Sequence, residues 1–319
     1  MKNLLLIDAN SLIHRAFHAL PPLTAKDGTP AQALYGVSSI LLKLWREERP
    51  DYAASLFDRP EPTFREKEYK EYKAQRAPAP ETLVPQLIKA HNLFEAFGIK
   101  VFDAAGFEAD DLIATLTEKF RNEKDLRIVI LTGDRDTLQL VEDDHVIVKS
   151  FKKGVSDTLI YNDAMVREQF GLAPAQIVDY KALVGDPSDN IKGVAGIGPK
   201  KATELLQQFG TVEDIYAHLG EITGAAREKL ESGREAALQS KRLVTLDRNA
   251  PAELQGLEAI KIDDAEDAVA EYFESLGFKA LLARLHAHAN GAAPSPQEKK
   301  KSPKSKEGST AQEKQSTMF

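Results

Sequence analysis

Nine carboxylates stand where separate segments of this chain would meet at one shallow pocket: Asp8, Asp58, Glu108, Asp110, Asp111, Asp134, Asp136, Asp186 and Asp189. Three of the segments that feed them read as buried strands. Asn3 to Ile7 runs into Asp8, Tyr52 to Phe57 into Asp58, and Leu126 to Thr132 into Gly133-Asp134-Arg135-Asp136. An open parallel sheet binds its ligands beyond the carboxyl ends of its strands. Carboxylates gathered there repel one another unless cations lie between them. Oxygen-only ligands suit hard divalent ions, so the pattern points to metal-assisted chemistry on a phosphodiester.

Taken singly the pieces say less. Glu108-Ala109-Asp110-Asp111 opens an apolar helical stripe of Leu112, Ile113, Leu116 and Phe120. The helix dipole favours acids in a first turn, which accounts for one or two of them but poorly for three in four residues. Asp134 and Asp136 flank Arg135 after a strand, an arrangement that an ordinary acidic loop or helix cap also gives. Gly185-Asp186-Pro187-Ser188-Asp189-Asn190 alone reads as a turn. Strand-end acids combined with helix-start acids carry the inference.

The elements that must position them alternate. Strands are expected at 3–8, 52–57, 99–102, 126–132 and 145–149, and helices at 31–47, 62–75, 81–97, 108–120 and 136–141. That alternation predicts an α/β core over 1–160, a mostly parallel central sheet flanked by helices. Residues 161–287 read as a second, helical part with Gly- and Pro-marked breaks. From 288 to 319 the composition shifts to Pro, Ser, Lys, Glu, Gln and Gly, which predicts a disordered tail. Hydrophobic residues make up 42% of the chain, enough for a core, and the absence of cysteine excludes disulfide scaffolds, zinc thiolates and iron–sulfur clusters. Neither a signal peptide nor a membrane-length apolar run is legible, so a cytoplasmic location without membrane attachment is expected. The net charge is −7, but the six lysines and three glutamates of the tail put +3 there, leaving −10 on the body. Nine of the body's acids belong to the proposed site, so net charge does not exclude nucleic acid.

The segment Glu61–Arg76 carries a helical pattern. Arg65, Tyr69, Tyr72 and Arg76 recur at helical spacing, with Lys73 at the edge of the same face. Interleaved basic and aromatic groups suit a surface that tracks a nucleic-acid backbone and stacks bases. A solvated helix with a Glu66–Lys70 pair is the plainer explanation.

Seven motifs occur in order: Asp8-Ala-Asn-Ser-Leu-Ile-His-Arg-Ala-Phe-His-Ala-Leu-Pro-Pro-Leu, Phe57-Asp58, Tyr72-Lys73-Ala-Gln-Arg76, Glu108-Ala-Asp-Asp111, Thr132-Gly-Asp-Arg-Asp136, Gly185-Asp-Pro-Ser-Asp-Asn190 and Gly193-Val-Ala-Gly-Ile-Gly198. Over roughly residues 1–285 the chain resembles the 5′-nuclease (flap endonuclease) family. Within it the chain is most similar to the 5′→3′ exonuclease domain of bacterial DNA polymerase I, and a stand-alone form of that domain, or a domain cut from a longer chain, is the expectation.

The resemblance implies a PIN-like core, an arch over about 59–85, and a helix–three-turn–helix DNA-binding element over about 175–209. It implies two Mg²⁺ ions, with Mn²⁺ as a substitute. Asp8, Asp58, Glu108 and Asp110 would surround one ion, with Asp111 touching it directly or through water. Asp134 would lie between the ions, and Asp136, Asp186 and Asp189 would serve the second. Lys73 and Arg76 would stabilise charge on the scissile phosphate, and Arg15 and Lys181 would contact phosphate. Gly193, Gly196 and Gly198, followed by Pro199, Lys200 and Lys201, match the hairpin that grips duplex backbone and is expected to hold K⁺. The implied substrates are DNA flaps, nicks and 5′ ends, including RNA primers on DNA, cut by a monomer during replication and repair.

The chain ends Gln315-Ser316-Thr317-Met318-Phe319, which resembles a peptide that docks on the replication sliding clamp, with Gln315, Met318 and Phe319 as anchors. Two rival readings change the role, the first keeping the fold and the second keeping only the strand-end acids. A catalytically inactive junction or clamp adaptor has no need of nine intact acids. A Mg²⁺-dependent phosphatase leaves the basic segment and the glycine hairpin without a purpose.

Overall fold

The computed structural model describes residues 1–153, 157–263 and 265–289. Six strands form one sheet: β1 Lys2–Asp8, β2 Tyr52–Phe57, β3 Lys100–Asp103, β4 Leu126–Leu131, β5 Val146–Lys153 and β6 Asp157–Tyr161. Their order is β3-β2-β1-β4-β5-β6. The first five are parallel and β6 runs antiparallel to β5. The helices are α1 Ala9–Ala19, α2 Gln32–Glu48, α3 Phe64–Glu68, α4 Val84–Ala96, α5 Ala109–Phe120, α6 Asp163–Phe170, α7 Ile177–Val184, α8 Pro199–Phe209, α9 Val212–Ala217, α10 Ala225–Val244, α11 Glu266–Leu276 and α12 Lys279–Ala289.

The central strands are apolar along their length because both faces are covered. Leu5, Ile7, Val129 and Leu131 enter a core under α1, α2, α4, α11 and α12. Their neighbours Leu4, Leu6, Ile128 and Ile130 enter a second core under α5. The chain leaves β1 toward β2 and β3, then returns across β1 to form β4. The carboxyl ends of β1 and β4 therefore flank the point where the winding reverses, where such sheets open a crevice.

After Tyr161 the described residues hold helices and turns and no further strand element. Leu183, Ile197, Leu206, Val212, Ile215 and Leu230 close a third core among α7, α8, α9 and α10. Helices α11 and α12 return to the first core through Val269, Phe273 and Leu281.

The structure departs from the sequence expectation in four places. The helix expected over 62–75 stops after Glu68, where Tyr69 is extended, and Lys73 has φ +53°, outside the right-handed helical region. The helix expected over 136–141 is a five-residue 3-10 turn, Asp136–Leu140. Helix α1, which starts directly after the strand-end Asp8 and buries Ala9, Leu12, Ile13 and Ala16 at helical spacing, and the half-exposed edge strand β6 were both absent from the expectation.

Candidate active site

A cleft of about 950 Å³ opens beyond the carboxyl ends of β1, β2 and β4. Local hydrogen bonds build its floor. Asp8 caps α1, one carboxylate oxygen accepting from the Ser11 amide at 2.9 Å and the other from Thr132 Oγ1 at 2.7 Å. Thr132 Oγ1 in turn accepts from the Asp134 amide at 2.9 Å, and Ser11 Oγ accepts from the Gly133 amide at 2.8 Å. The ends of β1 and β4 are thus stitched together. Asp58, just past β2, accepts from the Ala109 amide at 2.8 Å and so holds the start of α5. That start delivers Asp110, whose Oδ1 is buried and has no hydrogen-bond partner.

A buried carboxylate oxygen without a partner is costly, and here other acids surround it. Burial first, then the charge of Asp58, raises the Asp8 carboxyl to about 7. Burial first, then the charges of Asp134, Asp8 and Asp58, drives Asp110 well above the carboxylate range. Carboxyls raised in the folded state hold protons that the unfolded chain has lost. Their stabilisation is present at low pH and disappears as pH rises through about 7. Melting in EDTA between pH about 8 and about 6 should show a gain on acidification that is smaller in Asp8→Asn. Equal pH slopes in the two proteins would remove this electrostatic account.

The remaining acids carry cations of the chain. Lys73 Nζ donates to Glu108 Oε1 at 2.6 Å and lies 3.8 Å from Asp189. Arg76 donates to Asp189 Oδ1 at 2.6 Å. Lys181 bridges Asp136 and Asp186, 2.6 Å from the latter. With the acids distributed among these bonds, the described residues include no group of three His, Asp or Glu poised around one ion. Asp8, Asp58, Glu108, Asp110, Asp134, Asp186, Arg15, Lys73, Arg76 and Lys181 line the cleft together.

Three expected site residues are placed otherwise. Asp111 is fully buried and its two oxygens accept from both Arg65 terminal nitrogens at 2.7 Å, the Glu108 amide at 3.0 Å and the Asp247 amide at 2.9 Å. No lone pair remains for a metal, so Asp111 is a structural acid. Arg65 is 1% exposed and presents nothing to DNA. Tyr72 is 4% exposed, its hydroxyl 3.0 Å from Glu108 and 3.1 Å from Asp189, and its ring packs with Ile191, Leu243 and Val244, leaving no face for a base. Sequence spacing assumed a continuous helix from Glu61 to Arg76; the chain breaks at Tyr69 and turns these side chains inward.

Lys200 and Lys201 lie outside the cleft, exposed in the first turn of α8, with Lys201 paired to Glu204. A β-carbon on Gly193, at φ +63°, would fall 2.3 Å from the Gly185 amide nitrogen, so that glycine lets two turns pack together. Gly198 has open space around it at the start of α8. The reading missed His14, half-buried on the cleft wall beside Arg15. Burial first, then His18, lowers its pKa. Its signal was helical: Ser11, His14 and Arg15 share one face of α1. Gln315, Met318 and Phe319 lie outside the described residues.

Residues 3–171 match the model of the 5′-3′ exonuclease N-terminal resolvase-like domain, and residues 172–268 that of the 5′-3′ exonuclease C-terminal SAM fold. The chain belongs to the 5′-3′ exonuclease family. This exonuclease-family chain is 42% identical over 287 residues to DNA polymerase I of Caldicellulosiruptor bescii, covering 88% of itself and 33% of that protein. It is 40% identical over 288 residues to DNA polymerase I of Bacillus subtilis, covering 89% of itself and 32% of that protein. It thus spans about a third of the length of these relatives. The T5 D15 protein co-crystallised with metal ions shares the fold at TM-score 0.66 and 23% identity, over 89% of this chain and 100% of that one. So does the catalytic core of Rad2 in complex with DNA substrate, at TM-score 0.56 and 16% identity, over 89% and 92%. The six-stranded, mostly parallel sheet with a helical second part is the architecture of this family of nucleases.

Proposed function

We propose that this chain is a Mg²⁺-dependent 5′ nuclease that hydrolyses phosphodiester bonds at 5′ ends and flaps, near the junction of single strand and duplex. One observation carries the reading: Asp110 Oδ1 is buried without a partner among Asp8, Asp58 and Asp134, in a cleft that Arg15, Lys73 and Arg76 also line. Such an all-oxygen, acidic set suits a hard divalent cation.

Asp8, Asp58, Asp110 and Asp134 would hold one ion, with Glu108 beside them; Asp136, Asp186 and Asp189 are the proposed second set. Bound Mg²⁺, or Mn²⁺ in its place, would supply an activated water and neutralise charge at the leaving oxygen. The chain's own cations do the rest. Lys73 and Arg76 face the cleft where charge on the scissile phosphate develops. Arg15 and Lys181, which also line the cleft, add phosphate contacts. At α8 the free amides of the first turn, Pro199 at the first helical position and Lys200 with Lys201 form an anchor for duplex backbone that reads no sequence. Lys229 of α10 donates to the Gly196 carbonyl at 3.1 Å and adds a cation at that hairpin. K⁺ in the hairpin, a monomeric state and docking of residues 315–319 on a sliding clamp belong to the same proposal; deletion of those five residues in a clamp pull-down tests the last.

End-labelled flap, nicked and blunt DNA resolved on gels across a Mg²⁺ titration, with EDTA as control, tests the function. Cutting at the junction that needs the metal supports it. Release of phosphate from free nucleotides with intact flap DNA would support a phosphatase instead. Alanine at both Lys200 and Lys201 should weaken duplex binding and reduce the slope of log affinity against log salt by about 1–2. An unchanged slope would remove the anchor at α8.

A further inference from the structure

We infer that Arg65 is a positioning residue, which fixes the duplex-gripping helices against the cutting carboxylates and thereby selects the phosphodiester that is cut. The inference rests on the nuclease reading above and deepens it. A guanidinium has five N–H donors in a planar fork. Arg65 uses all five inside the protein. Its Nε donates to the Leu243 carbonyl at 2.8 Å. Its Nη1 donates to Asp111 at 2.7 Å and to Glu108 at 3.2 Å. Its Nη2 donates to Asp111 at 2.7 Å and to the Thr245 carbonyl at 3.0 Å.

These acceptors belong to two bodies that sequence keeps far apart. Glu108 and Asp111 sit at the start of α5, which carries Asp110 into the metal-type cluster. Leu243 and Thr245 lie at the end of α10, which packs on α7 of the helical part. From α10, Ser240 Oγ accepts from the Gly193 amide at 3.3 Å, and Lys241 pairs with Asp179 of α7 at 2.6 Å. Asp179 also accepts from the Val212 amide at 2.9 Å, at the start of α9. A rigid path therefore runs from the acids through Arg65 to the glycine hairpin. Asp111 closes it from the other side by accepting from the Asp247 amide. Lysine cannot reproduce this, because its point charge carries three donors and no fork. Duplex held at the hairpin and phosphate held at the acids are then a fixed distance apart. Loosening the tie lets the backbone sit one nucleotide out of register, and displacement of about 1 Å is enough to cost about a hundredfold in rate.

The test compares Arg65→Lys with Gln139→Leu. Gln139 fastens the same segment, donating to the Val244 carbonyl at 2.9 Å and accepting from the Leu246 amide at 3.1 Å, with a further bond to the Asp136 carbonyl at 2.9 Å, and none of these hydrogen bonds reaches α5. Each protein is assayed on 3′-labelled flap DNA at the same interval below its own melting temperature, and products are resolved to single nucleotides. Wild type should give one dominant product. Arg65→Lys should spread products over neighbouring positions and lose about a hundredfold in kcat, while KM moves by less than about threefold. Gln139→Leu should melt earlier yet keep a sharp product. A single wild-type product from Arg65→Lys, with a rate loss equal to that of Gln139→Leu, would reduce Arg65 to a fold-holding residue and overturn the proposal. Should Arg65→Lys not fold, Asp111→Glu lengthens the tie while keeping its charges; a sharp, unshifted product from that variant overturns the proposal as well. Wild-type protein that cuts no substrate overturns the nuclease reading itself.

Discussion

Asp110→Asn should abolish cutting and at the same time make the metal-free protein melt later. The two halves have one cause. Asp110 Oδ1 is buried without a hydrogen bond, and Asp134, Asp8 and Asp58 repel its charge. A neutral amide of the same shape removes that repulsion, and a rise of about 1–4 °C in melting temperature follows for a chain of this size. The same change takes a charged oxygen from the cation site, for which a loss of about a thousandfold in rate is expected. The rise in melting temperature on adding Mg²⁺ should shrink in the variant.

The neighbouring acid supplies the contrast. Asp111→Asn should leave the apoprotein markedly less stable, by about 3–5 kcal/mol, because it removes the bidentate carboxylate of the two that pair with a buried guanidinium. Two acids adjacent in sequence thus move stability in opposite directions, one strained for function and one bonded for structure. Asp110→Asn protein that cuts at the wild-type rate, or that melts as early as Asp111→Asn, would dismantle the assignment of this cluster.

Asp110 and Asp111 also show where sequence legibility ended. The strand ends were readable because Leu4 to Ile7 and Ile128 to Leu131 are buried on both faces and so form unbroken apolar runs. Strand ends in a parallel sheet share one side, so Asp8, Asp58 and Asp134 followed directly. The four-residue acidic stretch at the start of α5 was readable as a group but not residue by residue. Which acid faces the cleft depends on a cap: Asp111 turns back to its own helix start, and Asp110 points forward. Arg65 and Tyr72 were misplaced for a related reason. Their spacing fits a helix, but the burial that decides their orientation comes from Leu243, Val244 and Ile191, more than a hundred residues later. No local pattern carries that information.

Lys73→Met should bind Mg²⁺ more tightly and cut far more slowly. In the folded protein Lys73 Nζ lies 2.6 Å from Glu108 Oε1 and 3.8 Å from Asp189, on the wall of the cleft. Its backbone is held in the left-handed region at φ +53°, with the amide donating to the Asp189 carbonyl at 3.0 Å. A non-glycine residue kept in that conformation costs about 1–3 kcal/mol, so the surrounding loop fixes the lysine where it stands. A cation approaching Glu108 must share that oxygen with the ammonium group. Without Lys73 the competition disappears, and the midpoint of a Mg²⁺ titration followed by melting, in the absence of DNA, should move to lower concentration. The phosphate meanwhile loses a fixed positive charge, for which about a hundredfold to a thousandfold in kcat is expected with little change in DNA affinity. A lysine serving only as an ion-pair partner for Glu108 would shift the Mg²⁺ midpoint and leave kcat at the wild-type value. That result would move phosphate stabilisation from Lys73 to Arg76 and Arg15.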